Sequence, residues 1–144
     1  HFARSPRSYN SQVGVPLSLW HIKLKHEMAI IECGISEKGE MSKLRGMVSP
    51  NIGIFTNIGE AHQENFSSLS EKAAEKAKLF QNCEVVISCY DHQNVQDALN
   101  VLRIRKNLTW RGKGSDLEIT RLNLSKEKTR LEGNQVHFRH SSAQ

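Results

Sequence analysis

Residues 56–66, TNIGEAHQENF, carry a group of side chains that could do chemistry. They follow the short apolar run 52–55, so they lie where a buried strand is predicted to end. Asn57 and Glu60 offer oxygen ligands and His62 offers an imidazole, a set that suits a metal ion or acid–base chemistry. The alternative is a polar surface loop in which His62 makes a structural hydrogen bond.

Glu32 is a second candidate, because it lies inside the apolar stretch AIIECGI at residues 29–35. A carboxylate in such a stretch is costly unless it is hydrogen-bonded, paired or bound to a metal. Capping by loop amides at the end of a strand is the alternative. The residue types therefore leave a structural and a ligand role open for Glu32.

Lys76 is the third candidate and the least expected. Helical spacing places it on the apolar stripe of a helix predicted over residues 68–81, with Lys72 at the flank and Glu75 pointing away. A lysine there either extends its amine to the rim or is kept neutral by burial, and a neutral amine is nucleophilic. Reaction with carbon dioxide would give a carbamate, an anion that can bind Mg²⁺ through oxygen. The stripe comprises Leu69, Ala73, Ala77 and Phe80.

The elements that must position these residues alternate along the chain. Helices are predicted over residues 14–25, 40–48, 68–81 and 95–103. Strands are predicted over residues 28–33, 52–56, 85–89 and 107–110. Pro16 suits a first helical turn, with Leu17, Leu19, Trp20 and Ile22 as the apolar side of that helix. Ser68 and Glu71 fit a capping box.

The last part of the chain has a different pattern. Residues 117–124 alternate apolar with polar, and Gly133-Asn134 is a turn signal between segments 128–132 and 135–139. The predicted fold class is therefore α/β, a mostly parallel sheet with flanking helices plus C-terminal antiparallel hairpins. We expect residues 1–111 to form the α/β part and residues 112–144 the antiparallel extension of one partial domain.

The ends of the predicted strands bring the candidate residues together. In open parallel sheets, ligands bind at the carboxyl ends of the strands. Glu32 follows the first predicted strand, the segment from Asn57 to His62 follows the second, and Asp91 follows the third. We therefore expect carboxylates and an imidazole along one edge of the sheet.

Composition narrows the class of protein. The 144 residues, with 38% apolar and 24% charged side chains, suit one globular domain. No apolar run is long enough to span a bilayer, and three cysteines without a CxxC pair indicate reduced thiols of a cytoplasmic protein. The net charge of +5 suggests an anionic partner. The basic residues are scattered without interleaved aromatics, however, so we expect no nucleic-acid binding.

Four motifs in order resemble the central ATPase domain of the Mur ligases, and among these the MurF type, the UDP-N-acetylmuramoyl-tripeptide–D-alanyl-D-alanine ligases. The motifs are YNSQVGVPLSLW at 9–20, AIIECGISEKGEM at 29–41, PNIGIFTNIGEAHQENF at 50–66 and SLSEKAAEKAKLF at 68–80. The resemblance implies a P-loop-NTPase-like fold and an ATP-dependent carboxylate–amine ligase of peptidoglycan precursor synthesis. Its substrates would be UDP-N-acetylmuramoyl-tripeptide and D-alanyl-D-alanine, joined through an acyl phosphate with ATP and Mg²⁺.

The resemblance also implies roles for single residues. Glu32 matches the glutamate that binds Mg²⁺, His62 matches the histidine near a second Mg²⁺, and Lys76 matches the lysine that is carbamylated in the family. These three form the expected metal site, with Lys76 as the catalytic candidate.

Residues on the substrate side and the weaker candidates complete the expected site. Asn10, Ser11 and Gln12 match a substrate-side segment of the form N-N-x-x-G, in which Ser11 replaces a common asparagine. Asp91 falls in an Asp/Asn-rich turn after a strand. Asp91 is a weaker candidate, as are Asn57 and Glu60.

The chain also departs from the family. The phosphate-binding loop G-x-x-G-K-T/S, expected just before residue 4, does not occur in the sequence, and the first residue is not methionine. We therefore expect a fragment that is inactive alone and that self-associates through an exposed sheet edge. The alternatives are a folylpolyglutamate synthase-like ligase domain and a non-catalytic nucleotide- or nucleic-acid-binding module.

Overall fold

Two groups of paired strands organise residues 1–59, 63–124 and 129–133, which are the residues that the computed structural model describes. The first group is a parallel pair of strands β1 (Phe2–Arg4) and β2 (Met28–Ile30), in register from Phe2 with Met28 to Arg4 with Ile30. The second is a sheet in the order β3-β4-β5-β6-β7. Its strands are β3 (Ile52–Phe55), β4 (Val85–Cys89), β5 (Asn107–Arg111), β6 (Leu117–Leu124) and β7 (Thr129–Gly133).

Pairing is parallel from β3 through β6 and antiparallel between β6 and β7. The predicted α/β class, with a parallel sheet followed by antiparallel pairing, is confirmed in the described residues. The predicted turn at Gly133-Asn134 and the strand after it lie outside the described residues, except that Gly133 ends β7.

Four α-helices flank these strands within the described ranges. They are α1 (Gly14–Trp20), α2 (Glu40–Val48), α3 (Leu69–Ala77) and α4 (Gln93–Val101). The bounds of α2 and β4 agree with the prediction, while α1 is shorter and α3 continues as a 3-10 turn over Lys78–Phe80. Ser68 caps α3 as predicted, because its hydroxyl accepts a hydrogen bond from the Glu71 amide at 3.1 Å.

The core is formed by buried side chains of α2, α3 and α4 together with Phe55 of β3, Val86 of β4 and Val15 of α1. α3 packs against α4, and α2 packs against the 3-10 turn. Each helix contributes side chains spaced three or four apart, such as Met41 and Leu44 of α2. The largest fully buried apolar side chains are Phe55, Met41, Leu44, Leu99, Val15, Val86 and Val95.

The prediction of buried strands at 28–33 and 52–56 is wrong for β2 and holds for only one face of β3, where Gly53 and Phe55 are buried. The exposed fractions are 56% for Met28, 53% for Ile30, 62% for Ile52 and 59% for Ile54. Within the described residues, β2 pairs only with β1, and β3 pairs only with β4. Each strand therefore has an unpaired edge, and apolar composition alone could not reveal that no neighbour covers it.

The apolar side predicted for α1 is correct for Leu19, which packs against the core, and wrong for Leu17 and Trp20. Val15 and Ser18 are buried, whereas Leu17 and Trp20 are 48% and 87% exposed. The Ser18 hydroxyl donates a hydrogen bond to the Gly14 carbonyl at 2.9 Å, so a polar residue can occupy the inner face of the helix. Strand β1 was not predicted, because three residues are too few to show an alternating pattern. In the described residues no helix is both long and apolar enough to cross a membrane.

Candidate functional site

A cleft of about 1350 Å³ lies between the unpaired edges of β2 and β3. One face of α3 closes it on another side, and the loop before α1 contributes further polar atoms. Its polar and charged lining includes Ser5, Asn10, Ser11, Glu32, Asn57, Lys72 and Lys76. The cleft therefore gathers most of the described residues that the sequence singled out.

Glu32 lies two residues beyond the end of β2, at the strand end where the sequence placed it. Its side chain is exposed, so the expected cost of burial does not arise. One carboxylate oxygen accepts a hydrogen bond from the Asn10 side-chain amide at 3.0 Å, and the Glu32 amide donates to the Ser5 hydroxyl at 3.0 Å. These contacts orient Glu32, which lines the cleft.

Asn10 is held close to Glu32 by the backbone as well. Its carbonyl accepts a hydrogen bond from the Gly34 amide at 2.7 Å. A Cβ at position 34 would lie 3.1 Å from the Asn10 Cγ atom, which is tighter than an ordinary contact. Gly34 therefore allows the loop before α1 to approach the loop after β2.

Ser11 and Gln12 differ in where they point. The Ser11 hydroxyl accepts a hydrogen bond from the Gly14 amide at 3.1 Å and lies along the cleft. Gln12 does not line the cleft, because its amide donates to Glu40 at 2.9 Å. Burial acts to raise the pKa of Glu40, but hydrogen bonds from the Ser36 amide, Gln12 and the Glu37 amide outweigh it and leave that pKa lowered.

Lys76 extends from α3 into the cleft and is half-buried. Its Nζ lies 5.6 Å from the centroid of the Phe55 ring, a cation–π distance. Burial lowers the pKa of Lys76 below its ordinary value of 10.5, and the positive charge of Lys72 lowers it further. The negative charge of Glu32 opposes this shift, as does that of Cys33 when its thiol is ionised. The stripe prediction for Lys76 thus agrees with its position.

Cys33 is a neighbour of Lys76 that the sequence did not single out. Burial raises the pKa of its thiol to about 11, opposed by Lys76 and reinforced by Glu32. The thiol therefore stays protonated near neutral pH and is a poor ligand and nucleophile.

Two charged residues of α3 are more buried than predicted. Lys72, expected at the flank, is 3% exposed, and its Nζ donates a hydrogen bond to the Gly59 carbonyl at 2.6 Å. Glu75, expected to point away, is 5% exposed. Its carboxylate accepts from the Gly39 amide at 2.7 Å and pairs with Lys78 at 2.5 Å. These partners make the burial of both charges possible. Lys72 lies four residues before Lys76, and this helical spacing could have predicted that both lysines lie on the same face of α3.

Four further residues that the sequence singled out are Asn57, Glu60, His62 and Asp91. Asn57 is exposed and lines the cleft. Glu60 and His62 lie outside the described residues. Asp91 does not line the cleft, and pairs instead with the Arg111 guanidinium at 3.3 Å. The expected gathering of Asp91 with Glu32 therefore does not occur, because β2 belongs to a separate strand pair.

The donors that line the cleft fit a hard divalent cation. Glu32, Asn10 and Asn57 offer carboxylate and amide oxygens, the ligand atoms that Mg²⁺ takes in proteins. Lys76 as an amine is a poor ligand for Mg²⁺, and as a carbamate it would supply oxygen. No group of three or more His, Cys, Asp or Glu side chains that could hold a metal occurs in residues 1–59, 63–124 and 129–133.

Comparison with known proteins gives the class to which this arrangement belongs. The family model described as the Mur ligase middle domain matches residues 2–143. The chain belongs to this family, as its four motifs indicated.

Two curated relatives carry the same enzyme name. A protein of Borreliella burgdorferi is 39% identical over 79 residues, which cover 54% of this chain and 17% of the relative. A protein of Bacillus subtilis is 30% identical over 94 residues, which cover 63% of this chain and 21% of the relative. Both are named UDP-N-acetylmuramoyl-tripeptide–D-alanyl-D-alanine ligase. The matched part is thus about a fifth of the length of these relatives, and the predicted family is confirmed.

Solved structures agree with the fold. MurF from Acinetobacter baumannii superposes with a TM-score of 0.82 at 20% identity, over 92% of this chain and 30% of that protein. MurF ligase from Thermotoga maritima in complex with ADP gives a TM-score of 0.77 at 21% identity, over 92% of this chain and 31% of that protein. At these identities the likeness establishes the α/β fold.

Proposed function

We propose that this chain is part of the central domain of an ATP-dependent carboxylate–amine ligase that adds D-alanyl-D-alanine to UDP-N-acetylmuramoyl-tripeptide. The observation that carries the proposal is the convergence of Glu32, Asn10 and a half-buried Lys76 in one cleft at the ends of β2 and β3. The names of the curated relatives and the ADP in the Thermotoga maritima structure support the substrates and the use of ATP. We also propose that residues 1–144 belong to a single domain and that the ligase acts in the cytoplasm.

In this proposal ATP phosphorylates the tripeptide carboxylate and leaves as ADP. The amine of D-alanyl-D-alanine then attacks the acyl phosphate, an amide bond forms, and phosphate leaves with loss of a proton from nitrogen. Glu32, carbamylated Lys76 and His62 would hold Mg²⁺, and the ion would supply positive charge to neutralise the phosphates. Asn10 orients the Glu32 carboxylate, and Asn10 and Ser11 face the substrate side. Gln12 acts indirectly, by holding Glu40.

Lys76 is suited to carbamate formation because burial favours its neutral amine. The amine nitrogen attacks the carbon of carbon dioxide, one C–N bond forms, and the nitrogen loses a proton to solvent. The product is an anion that can serve as an oxygen ligand beside Glu32. The pKa of Lys76, lowered by burial and by Lys72, supports this assignment.

Replacement of Lys76 in the complete ligase tests the proposal. We expect Lys76→Ala to lose ligase activity and a short-chain carboxylic acid to restore part of it by supplying the missing carboxylate. Lys106→Ala removes an exposed lysine outside the cleft and should leave activity unchanged. Unchanged activity in Lys76→Ala would refute the carbamate.

The isolated chain gives a second test. Because its sequence contains no G-x-x-G-K-T/S loop to bind the phosphates, we expect no ATP turnover by the 144-residue chain. Rapid Mg²⁺-dependent hydrolysis of ATP by purified chain would contradict the assignment of Glu32 and Lys76 to a partial site.

A further inference from the structure

Glu40 is a charged residue of the cleft to which the proposed mechanism gives no task of its own. It is the first residue of α2 and is half-buried. One of its carboxylate oxygens accepts hydrogen bonds from the backbone amides of Ser36 and Glu37 at 2.6 and 2.9 Å. The other oxygen accepts from the Gln12 side-chain amide at 2.9 Å. The carboxylate therefore joins two segments of the chain.

The hydrogen bonds to Glu40 differ in their reach along the sequence. Those from Ser36 and Glu37 close the turn just before α2, which is a common use of a carboxylate in a first helical turn. The bond from Gln12 spans 28 residues and ties this turn to the loop before α1. The local turn does not need that long-range bond, so the bond has a separate effect on the loop before α1.

The two segments that Glu40 joins also carry the contact between Asn10 and Glu32. The Asn10 carbonyl accepts a hydrogen bond from the Gly34 amide at 2.7 Å, and the Asn10 side-chain amide donates to Glu32 at 3.0 Å. The loop before α1 is thus attached to the segment after β2 at position 10 and again, through Gln12, at position 12. Two points of attachment fix the direction of the loop as well as its position.

The segment 34–39 is itself held from two further directions. The Asn65 side-chain amide donates a hydrogen bond to the Ser36 carbonyl at 3.0 Å. The Gly39 amide donates to the Glu75 carboxylate of α3 at 2.7 Å. This segment therefore offers Glu40 a fixed support against which the loop before α1 can be placed.

We propose that Glu40 is a positioning residue that holds the loop before α1 against the segment 34–39 and so places Asn10 beside Glu32. This inference rests on the proposed function, in which Asn10 and Ser11 face the substrate, and it assigns the placement of that loop to one carboxylate. Burial acts to raise the pKa of Glu40, but its hydrogen bonds outweigh burial and lower that pKa. The carboxylate is therefore ionised at neutral pH, and a charged acceptor forms stronger hydrogen bonds than a neutral one.

A reciprocal exchange of the two side chains tests the bond between Gln12 and Glu40. Gln12→Glu places two carboxylates against each other, so the loop should detach from the segment 34–39. Adding Glu40→Gln removes this repulsion. The new amide at position 40 can accept from the two backbone amides and donate to the carboxylate at position 12. The second substitution should therefore reverse the effect of the first.

Hydrogen exchange of the Gly34 amide, followed by NMR in the 144-residue chain, measures the attachment because this amide donates to Asn10. The Val86 amide, which is buried in β4 and donates to a carbonyl of the next strand segment at 2.8 Å, reports global stability. In Gln12→Glu we expect exchange at Gly34 to quicken about tenfold or more relative to Val86. In the double variant with Glu40→Gln it should return to within about threefold of the native rate.

Gln12→Glu combined with Glu37→Gln is the matched control. It removes the same amount of negative charge, but from an exposed side chain outside the cleft, and should not restore the protection of Gly34. Circular dichroism checks the fold of each variant. If Gln12→Glu does not fold, Gln12→Leu removes the hydrogen bond without repulsion and should quicken exchange at Gly34 in the same direction.

Kinetics of the complete ligase test the role in the reaction. In Gln12→Glu we expect KM for UDP-N-acetylmuramoyl-tripeptide to rise roughly three- to tenfold, with a smaller change in kcat, because a displaced loop loses contacts to bound substrate. KM for D-alanyl-D-alanine should change less than KM for the tripeptide. Adding Glu40→Gln should restore most of the affinity for the tripeptide, and adding Glu37→Gln should not.

The outcomes separate this inference from the proposed function. Equal quickening at Gly34 and Val86, absence of rescue by Glu40→Gln, or equal rescue by Glu37→Gln overturns the attachment through Glu40. The expected exchange pattern with an unchanged KM for the tripeptide overturns the role of Glu40 in the reaction and leaves the proposed function intact. A native ligase that does not join the tripeptide to D-alanyl-D-alanine overturns the proposed function and the role of Glu40 in it, while exchange at Gly34 still decides whether Glu40 holds the loop.

Discussion

Replacing Gly53 with alanine tests how the wall of the cleft is packed. Gly53 is buried in β3, and a Cβ there would lie 2.9 Å from Cε1 and 3.1 Å from Cγ of the Phe80 ring, with Cδ1 closer still. Phe80 is 4% exposed and packs against Phe55 with ring centroids 5.5 Å apart. The ring therefore has little space into which it can move.

The expected effect follows from overpacking a well-filled core. Forcing one methyl group into such a site lowers the free energy of unfolding by roughly 1–3 kcal/mol. For a chain of this size, this corresponds to a decrease in Tm of about 3–9 °C. Phe80 contacts Phe55, and the Lys76 amine lies over the Phe55 ring. Movement of Phe80 therefore also shifts the position of the lysine amine.

Thermal unfolding followed by circular dichroism measures the effect. Gly46→Ala is the matched control, because Gly46 lies within α2 and an added Cβ there meets no atom within 4 Å. In that helix alanine should stabilise the chain by about 0.5–1 kcal/mol. The same substitution should therefore raise the stability at position 46 and lower it at position 53. Gly53→Ala should also cost less when Phe80 is already leucine. A Tm for Gly53→Ala equal to or above that of the native chain would refute the packing argument.

Two further predictions concern pH and association. Hydrogen bonds from Lys38 and Ser67 lower the pKa of Glu71 from 4.5 to about 2, so its contribution to stability is complete above about pH 4.5 and is lost as pH falls towards 2. Denaturant midpoints of Glu71→Gln should therefore depend less on pH in that range, and a slope equal to the native one would contradict this. The unpaired edges of β2 and β3 should make the chain self-associate. Light scattering should show that Ile54→Lys shifts the chain towards monomer. Val101→Lys, at an exposed position on α4, should leave the association unchanged. A strictly monomeric native chain would exclude association through this surface.

Local patterns in the sequence predicted helices and strands well where the apolar residues of the pattern are also the residues that face the core. Helix α2 begins after Gly39 and presents Met41 and Leu44 to the core, and its predicted bounds agree with the structure. Strand β4 is an apolar run with neighbours on both sides, so its composition predicted it correctly. In these elements the residues that set the local conformation also face the core.

Burial of β2 and β3 could not be predicted in the same way. An apolar run indicates a strand, but its exposure depends on which strand pairs beside it, and that contact is distant in sequence. Ile30 and Ile54 are exposed for this reason and not because their own segments differ from β4. The same limit explains Asp91, which follows a strand as predicted but pairs with Arg111 outside the cleft.

Helical periodicity predicted only part of the candidate site. Periodicity placed Lys76 on the inner face of α3, yet it missed that Lys72 and Glu75 are buried on the same helix. Each has a backbone partner in a separate loop that is distant in sequence, the Gly59 carbonyl for Lys72 and the Gly39 amide for Glu75.

These two contacts give α3 a role that an apolar helix could not have. Lys72 joins α3 to the segment after β3, and Glu75, which directly precedes Lys76, joins it to the loop before α2. Buried charges of this kind add little net stability, because their desolvation offsets the attraction. They do fix the two loops relative to Lys76, and a carbamate there would need such fixed surroundings to hold a metal ion in one geometry. We therefore attribute the charges on the inner face of α3 to positioning of the site, not to stability of the fold.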